Sequence, residues 1–221
     1  MHLRLLVIML VITLMPGLAM AATMTLGPID TTTPIGSTLT DWSALSLSFP
    51  QFDSTLGTLT MVQLNLSGSL STVLTVTNNS PSQCSGTAKT ELQIRVEDGG
   101  GNLGTLLNPQ LDLNSPFYSY DLASGTSSTS DPLVRNGISS DQYTLAAVLA
   151  EFTGPGAIVL PANSFTQTWI STTSGNVFAT QVTNASLTGT VTYTYVPEPS
   201  SLVGLAGMLV PAAFMLRRRR A

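Results

Sequence analysis

The sequence lacks the side chains that most hydrolases use for acid–base and metal chemistry. Its single histidine, His2, lies at the extreme N-terminus, and its single cysteine is Cys84. Ser-His-Asp catalysis, Cys-His catalysis and histidine-ligated zinc are therefore excluded for the body of the chain. One cysteine cannot form a disulfide within the chain. We expect Cys84 to be a partly buried small side chain, and its polar surroundings leave a reactive thiol as the alternative.

Basic residues are also scarce. Of the eight Lys and Arg, Arg4 and Arg217–Arg220 lie near the two ends, which leaves Lys89, Arg95 and Arg135 between residues 22 and 195. The same range contains eleven Asp and Glu, so its net charge is 3 − 11 = −8. Such an acidic surface repels a phosphate backbone, and we expect no nucleic-acid partner.

The first 21 residues have the three-part layout of a secretory signal peptide. Arg4 precedes an apolar run from Leu5 to Leu14, and Ala19 and Ala21 form a small-residue cleavage site. As a helix, the apolar run rises only ~15 Å, about half of a bilayer core. The sequence therefore predicts cleavage after Ala21 and export of the remainder.

Residues 22–195 are predicted to form an all-β domain. Ser and Thr supply 53 of these 174 residues, and apolar residues alternate with polar ones. In ELQIRVE, Leu92, Ile94 and Val96 fall on one face, as expected of a half-buried strand. The same alternation recurs in ALSLSF, VQLNLSGSL and SLTGTVTYTY. We predict an antiparallel β-sandwich of jelly-roll type.

Four local features add to this prediction. Gly68 interrupts one alternation and indicates a bend or bulge. The glycine run from Glu97 to Asn102 is typical of a hairpin loop, and residues 115–132 are interpreted as a long polar connection. Residues 141–152 are the helical candidate, with apolar residues at helical spacing, although a strand is an equal alternative.

The C-terminal segment is predicted to be a transmembrane helix. Leu202 to Leu216 contains no charge and spans ~22 Å as a helix, or ~26 Å with the two preceding serines, at the short end of what crosses a bilayer. By the positive-inside rule, the basic cluster that follows stays in the cytoplasm. This cluster consists of Arg217, Arg218, Arg219 and Arg220.

The junction between body and tail carries two prolines one residue apart. Such a segment favours an extended conformation that joins neither the preceding strand nor the following helix, so it is either a linker or an accessible processing site. Pro197-Glu198-Pro199, an apolar segment and an arginine cluster, in that order over residues 196–221, resemble the PEP-CTERM sorting signal of Gram-negative bacteria. The resemblance implies a transient stay in the inner membrane and cleavage by an exosortase near Pro197, Glu198 and Pro199.

The body also resembles a family, the exported choice-of-anchor E domains. The resemblance rests on SFPQFDSTLGTLTMVQLNLSGSL (residues 48–70), EFTGPGAIVLP (151–161) and TGTVTYTYVPEP (188–199). It implies a β-rich secreted domain and carries no active site.

Carboxylates are the side chains left for catalysis. A glycoside hydrolase needs two carboxyl groups about 5 to 10 Å apart, one of them with a raised pKa. The acidic residues are scattered, and no pair is singled out by its spacing: Asp41, Asp53, Glu91, Glu97, Asp112, Asp121 and Glu151. We predict that the protein is not an enzyme and has no catalytic residues.

Calcium is the one cofactor left open, because it needs only oxygen ligands. Glu97, Asp98 and Asn102 surround the glycine run, and Asp121 lies ten residues before Asp131. Neither group has EF-hand spacing, so we predict a structure without cofactor or metal.

Carbohydrate binding requires exposed aromatic side chains. The candidates are Trp42, Trp169, Tyr118 and Tyr120. Low charge, Ser/Thr richness and the missing catalytic groups favour a structural protein of the cell surface or an exopolysaccharide-associated matrix. A polysaccharide-binding module is the alternative, and a carboxylate-dependent glycoside hydrolase is a more distant one.

Overall fold

The computed structural model describes residues 22–43, 45–97, 109–173 and 176–198. Eleven strands form this part of the chain: β1 Met24–Asp30, β2 Ile35–Leu39, β3 Leu45–Pro50, β4 Gly57–Asn78, β5 Cys84–Val96, β6 Gln110–Asn114, β7 Tyr118–Leu122, β8 Ser127–Thr129, β9 Leu133–Tyr143, β10 Ala157–Thr172 and β11 Val177–Pro197. One short helix, α1 Ala146–Glu151, lies between β9 and β10, and a 3-10 turn, Ser54–Leu56, precedes β4.

The strands form two sheets, in which every strand pair is antiparallel. Sheet A has the order β1–β11–β4–β8, with β2 also paired with β11 and β9 with β4. Sheet B has the order β3–β10–β5–β6, with β7 also paired with β5. The predicted antiparallel β-sandwich, with two sheets, is confirmed.

The core lies between the sheets and follows the alternation seen in the sequence. Leu92, Ile94 and Val96 of β5 are all buried, and so are Leu64, Leu66, Leu70 and Leu74 of β4 and Ala185, Leu187, Val191 and Tyr193 of β11. The main cluster contains Phe49, Phe52, Leu64, Leu66, Phe152, Leu187, Val191 and Tyr193. A smaller cluster contains Leu74, Val76, Cys84, Ala88, Tyr120 and Leu122. Cys84 is 1% exposed, so it packs as a small buried side chain.

Of the two alternatives predicted for Gly68, a bend or a bulge, the bulge is wrong. β4 runs through Gly68 and pairs in continuous register with β11 and β9. A Cβ at this position would lie 2.7 Å from Leu111 Cδ2 and 2.9 Å from Ser186 O. Glycine is required there because the strand interior is packed against a leucine of the opposite sheet.

Two segment assignments need correction. Residues 115–132 contain two strands, β7 and β8, instead of a long connection, because Tyr120 and Leu122 are buried and Ser127 and Thr129 pair with β4. The helical candidate is helical only over Ala146–Glu151, since β9 extends to Tyr143.

Several predicted features lie outside the described residues. These are the signal peptide with Ala19 and Ala21, the hairpin loop with Asp98 and Asn102, and the tail with Pro199 and the arginine cluster. Within the described ranges, the structure has no helix long and apolar enough to cross a membrane.

Candidate binding face on sheet B

The outer surface of sheet B carries two exposed aromatic rings on one strand. β10 buries Leu160, Ala162 and Ser164 on its inner face, so the alternate residues point outward. Phe165 is 61% exposed and Trp169 is 53% exposed. Because they are four residues apart along a strand, their Cα atoms are separated by roughly 13 Å.

Polar side chains of the two neighbouring strands lie beside these rings. In the β10–β5 register, Phe165 is opposite Gln93, Gln167 is opposite Glu91 and Trp169 is opposite Lys89. On the other side of β5, β6 places Asp112 opposite Gln93 and Asn114 opposite Glu91. The outer face of three strands is thus a continuous polar patch next to two aromatic rings.

A third exposed aromatic, Phe117, lies at the far end of the patch. It is 65% exposed, and Lys89 Nζ lies 5.7 Å from the centre of its ring. Lys89 also donates to Glu91 Oε1 at 2.6 Å and to Asn114 Oδ1 at 3.2 Å. These contacts hold Lys89 between the ring of Phe117 and the polar side chains of Glu91 and Asn114.

The polar centre is a shallow depression of about 410 Å³ lined by residues of β5, β6 and β10. Asp112 accepts hydrogen bonds from Gln110 Nε2 at 2.8 and 2.7 Å and from Gln93 Nε2 at 3.3 Å. We call this surface the aromatic face. It consists of Phe117, Phe165, Trp169, Glu91, Gln93, Asp112, Asn114 and Gln167.

The aromatic face combines flat apolar rings with amide and carboxylate groups. Rings of this kind stack on the C–H faces of pyranoses, while amides and carboxylates exchange hydrogen bonds with sugar hydroxyls. Phe165 and Trp169 are spread along β10 over roughly 13 Å, so neighbouring units of one polymer can contact both rings. The chemistry of the face suits an extended glycan better than a small molecule, which needs an enclosed pocket.

The structure separates the aromatic residues that the sequence singled out. Trp169 belongs to the aromatic face, but Trp42 is only 9% exposed and packs in the main core. Tyr120 is 6% exposed and donates to Ser171 O at 2.8 Å, and half-buried Tyr118 is bonded to Ser128 Oγ.

Phe165 and Phe117 were missed by the sequence analysis. For Phe165 a signal existed, because strand alternation through SFTQTW places it on the same face as Trp169. For Phe117 the sequence contains no such signal, because residues 115–132 are predicted to be a polar connection without strand alternation.

Two of the acidic candidates, Asp41 and Asp53, accept hydrogen bonds from backbone N–H groups. Asp41 accepts from Thr166 N at 2.8 Å, and Asp53 accepts from Thr55 N at 2.9 Å, which lowers the pKa of Asp53. Glu91 and Asp112 line the same depression, whereas Glu151 and Asp121 do not. The two carboxylates are diagonal neighbours on adjacent strands, and each is bonded to a side chain of the aromatic face or its rim.

The calcium candidates are only partly described. Asp121 accepts from Gln83 Nε2 at 2.7 Å, and Glu97 follows the end of β5. Within the described part of the chain, no three His, Cys, Asp or Glu side chains come close enough to hold a metal ion.

The body–tail junction begins inside sheet A. β11 continues to Pro197, which is buried and opposite Gly57 of β4, while Glu198 is exposed. The expectation that this proline joins no strand is therefore wrong. Gly57, at φ +146°, makes the close approach possible, since a Cβ there would lie 2.1 Å from Val196 O.

Neither a family model nor a curated protein matches this chain. Among solved structures, it is similar to a chain of Triatoma virus at 17% identity and a TM-score of 0.26, over 77% of this chain and 67% of that chain. It is also similar to infectious bursal disease virus Gt strain (10% identity, TM-score 0.15, 81% and 41% covered) and to the PBSX exported protein XepA (9%, 0.18, 77% and 38%). The chain thus spans less than half the length of the latter two, and likeness at these scores carries no argument about function.

Proposed function

We propose that this chain is an exported protein of the cell surface or extracellular matrix that binds polysaccharide through the aromatic face. The observation that carries the proposal is the arrangement of Phe165 and Trp169, which lie exposed on one strand beside a row of amides and carboxylates. Exposed apolar side chains that are grouped and surrounded by polar residues mark an interaction surface, whereas single ones such as Phe178 do not. A structural protein of an exopolysaccharide-associated matrix needs a surface through which it binds the polysaccharide.

The charges on the outer surface of β5, β6 and β10, which includes the aromatic face and its neighbours Lys89 and Arg95, favour a neutral polysaccharide. Lys89 and Arg95 on β5 are balanced by Glu91 and Asp112, so the outer surface of these strands has no net charge. The body as a whole has a net charge of −8 and repels polyanions. Binding is then governed by stacking and neutral hydrogen bonds, and we expect it to change little between low and high salt.

The test is retention on the organism's own exopolysaccharide and on neutral glucans, measured by affinity electrophoresis of the full chain. We expect Trp169→Ala and Phe165→Ala each to weaken binding at least about tenfold, or ~1.4 kcal/mol. Phe178→Ala is the matched control, because Phe178 is an aromatic of sheet A that is 46% exposed. No retention by the unmodified protein, or equal retention of all three variants, contradicts the proposal.

Binding without hydrolysis is the activity we propose. Glu91 and Asp112 are the carboxylates nearest to a catalytic pair, but they lie in an open depression and accept bonds from Lys89 and Gln110. A glycoside hydrolase needs two carboxyl groups that are free to flank the glycosidic bond, one as the general acid and the other as nucleophile or base. We likewise propose that no metal or cofactor takes part.

Export and sorting complete the proposed function. The signal peptide directs the body outward, the apolar tail and arginines hold it in the inner membrane, and an exosortase-type enzyme removes the tail. Because β11 is paired through Pro197, we expect the cut to fall after Pro197. Intact-mass measurement of the extracellular protein tests this, and a mature protein that retains residues 202–221 contradicts it.

We also infer that the sandwich is a jelly roll. If β1 with β2, β6 with β7 and β8 with β9 each occupy one position, the chain has eight positions. Sheet A then has the order 1-8-3-6 and sheet B the order 2-7-4-5, the arrangement of two Greek keys.

A further inference from the structure

β9 is a long edge strand of sheet A. It pairs with β4 over eleven consecutive positions, and with no other strand among those described. Along its other side, the backbone N–H and C=O groups therefore face no strand of the described part of the chain. A long free edge of this kind is a template for pairing with another strand.

The other sheet edges are covered or short. At the β3 edge, Ser48 O accepts from Thr31 Oγ1 at 2.9 Å and from Thr32 N at 2.8 Å. β1 contains Pro28 and a register shift, and the remaining edge strands have at most five residues. β9 is the longest of these edge strands, with eleven residues, and contains neither a proline nor a register shift.

The sequence of β9 is self-complementary about Ile138. Ile138 is the central residue of this strand and is 83% exposed. Arg135 and Asp141 lie three residues on either side of it and share the opposite face of the strand. If a second β9 is placed antiparallel and centred on Ile138, each Arg135 is opposite Asp141 of the second copy.

We propose that the chain forms a homodimer in which β9 pairs antiparallel with β9 of a second copy, centred on Ile138. Charges that point inward from an edge strand ordinarily prevent pairing. Here they have opposite signs and symmetric positions, so the twofold operation turns them into two cross-strand ion pairs. The two exposed Ile138 side chains cover each other on the outer surface.

The dimer joins the two copies of sheet A into one continuous sheet. Its twofold axis is perpendicular to that sheet, so the outer surfaces of both copies of sheet B point the same way. The interface is independent of polysaccharide binding and does not include any residue of the aromatic face.

The test is oxidative cross-linking, in intact cell envelopes, of full-chain variants that each carry one introduced cysteine. Directly opposed residues of an antiparallel pair have Cα atoms about 4.5 or 5.5 Å apart, within the range of a disulfide. Ile138→Cys is therefore expected to yield a covalent dimer on a non-reducing gel. Ser140→Cys is the matched control, because the two copies of residue 140 lie roughly 13 Å apart. Cys84 is buried and does not compete.

A charge exchange in the Ile138→Cys background tests the register. Arg135→Asp or Asp141→Arg alone places like charges opposite each other, and we expect the cross-linked fraction to fall at least fivefold. The combined exchange R135D/D141R restores opposite charges and the cross-link. No cross-link for Ile138→Cys, equal cross-linking of Ser140→Cys, or a double variant no better than the single ones overturns the proposal.

Discussion

The hydroxyl groups of Thr72 and Thr90 lie 3.1 Å apart and join sheet A to sheet B inside the sandwich. Thr72 Oγ1 is also 2.8 Å from Thr183 Oγ1, and Thr90 donates to Gln181 Oε1 at 2.9 Å. All three threonines are at most 4% exposed. This polar layer separates the main core from the smaller cluster. Because these polar groups are buried, each of them needs a hydrogen-bond partner. The bonds between them fix the position of β5 of sheet B against β4 of sheet A.

Thr90→Val is expected to lower the free energy of unfolding by about 1–3 kcal/mol, because it removes the buried hydroxyl that bridges Thr72 Oγ1 and the half-buried Gln181 Oε1. Thr75→Val is the matched control: its hydroxyl is bonded to Thr129 on the exposed surface, so a change within about 0.5 kcal/mol is expected. Urea unfolding measures both. Equal midpoints for the two variants contradict the importance of the layer.

Stability is expected to depend on pH in the alkaline range. Tyr193 is fully buried and donates to Pro50 O at 2.6 Å, and burial raises the pKa of its hydroxyl well above 10.0. Burial and the nearby Asp141 raise the pKa of Tyr143 in the same direction. A raised pKa in the folded state means that stability is complete below the pKa of the unfolded tyrosine, about 10, and is lost as pH rises above it.

Tyr193→Phe tests this dependence. At neutral pH the variant loses one hydrogen bond and about 1 kcal/mol of stability. Above pH ~10 its stability is expected to fall less steeply than that of the unmodified protein, since the contribution of Tyr193 is then absent. Chemical unfolding at pH 7, 9, 10 and 11 gives both values. Parallel curves for the two proteins rule out ionisation of Tyr193 as a cause of alkaline unfolding.

Sequence periodicity predicted those strands whose inner face is apolar. Leu92, Ile94 and Val96 are an example, and β5 and the long strands β4 and β11 follow from the same pattern. β8 could not be found in this way. Ser127 and Thr129 pair with β4, and their hydroxyl groups contact those of Thr77 and Thr75. A strand made of Ser and Thr has no alternation of apolar and polar residues from which it could be predicted.

The sequence predicted that exposed aromatic side chains would form the candidate site, but of the aromatic residues it named only Trp169 belongs to the aromatic face. The residue type is the same at Trp42 and Trp169, so it does not predict which of the two side chains is exposed. Their exposure depends on how the strands pair. Trp42 N and Asp41 N donate to Ser164 Oγ, which draws Trp42 into the core, while Trp169 lies on the outer face of β10. The aromatic face also needs three strands that are far apart in sequence, and no local pattern gives their register.

The junction with the tail offers the last prediction. Gly57→Ala adds a Cβ 2.1 Å from Val196 O at a φ of +146°, so the end of β11 must move away from β4. Gly36→Ala is the matched control, because a Cβ there meets nothing within 4 Å. In limited proteolysis of the full chain, the unmodified protein and Gly36→Ala are expected to be cut first beyond Pro197. Gly57→Ala is expected to be cut within residues 194–197 as well, because these residues lose their pairing with β4. An identical cleavage pattern for all three proteins means that Gly57 does not hold the junction in the sheet.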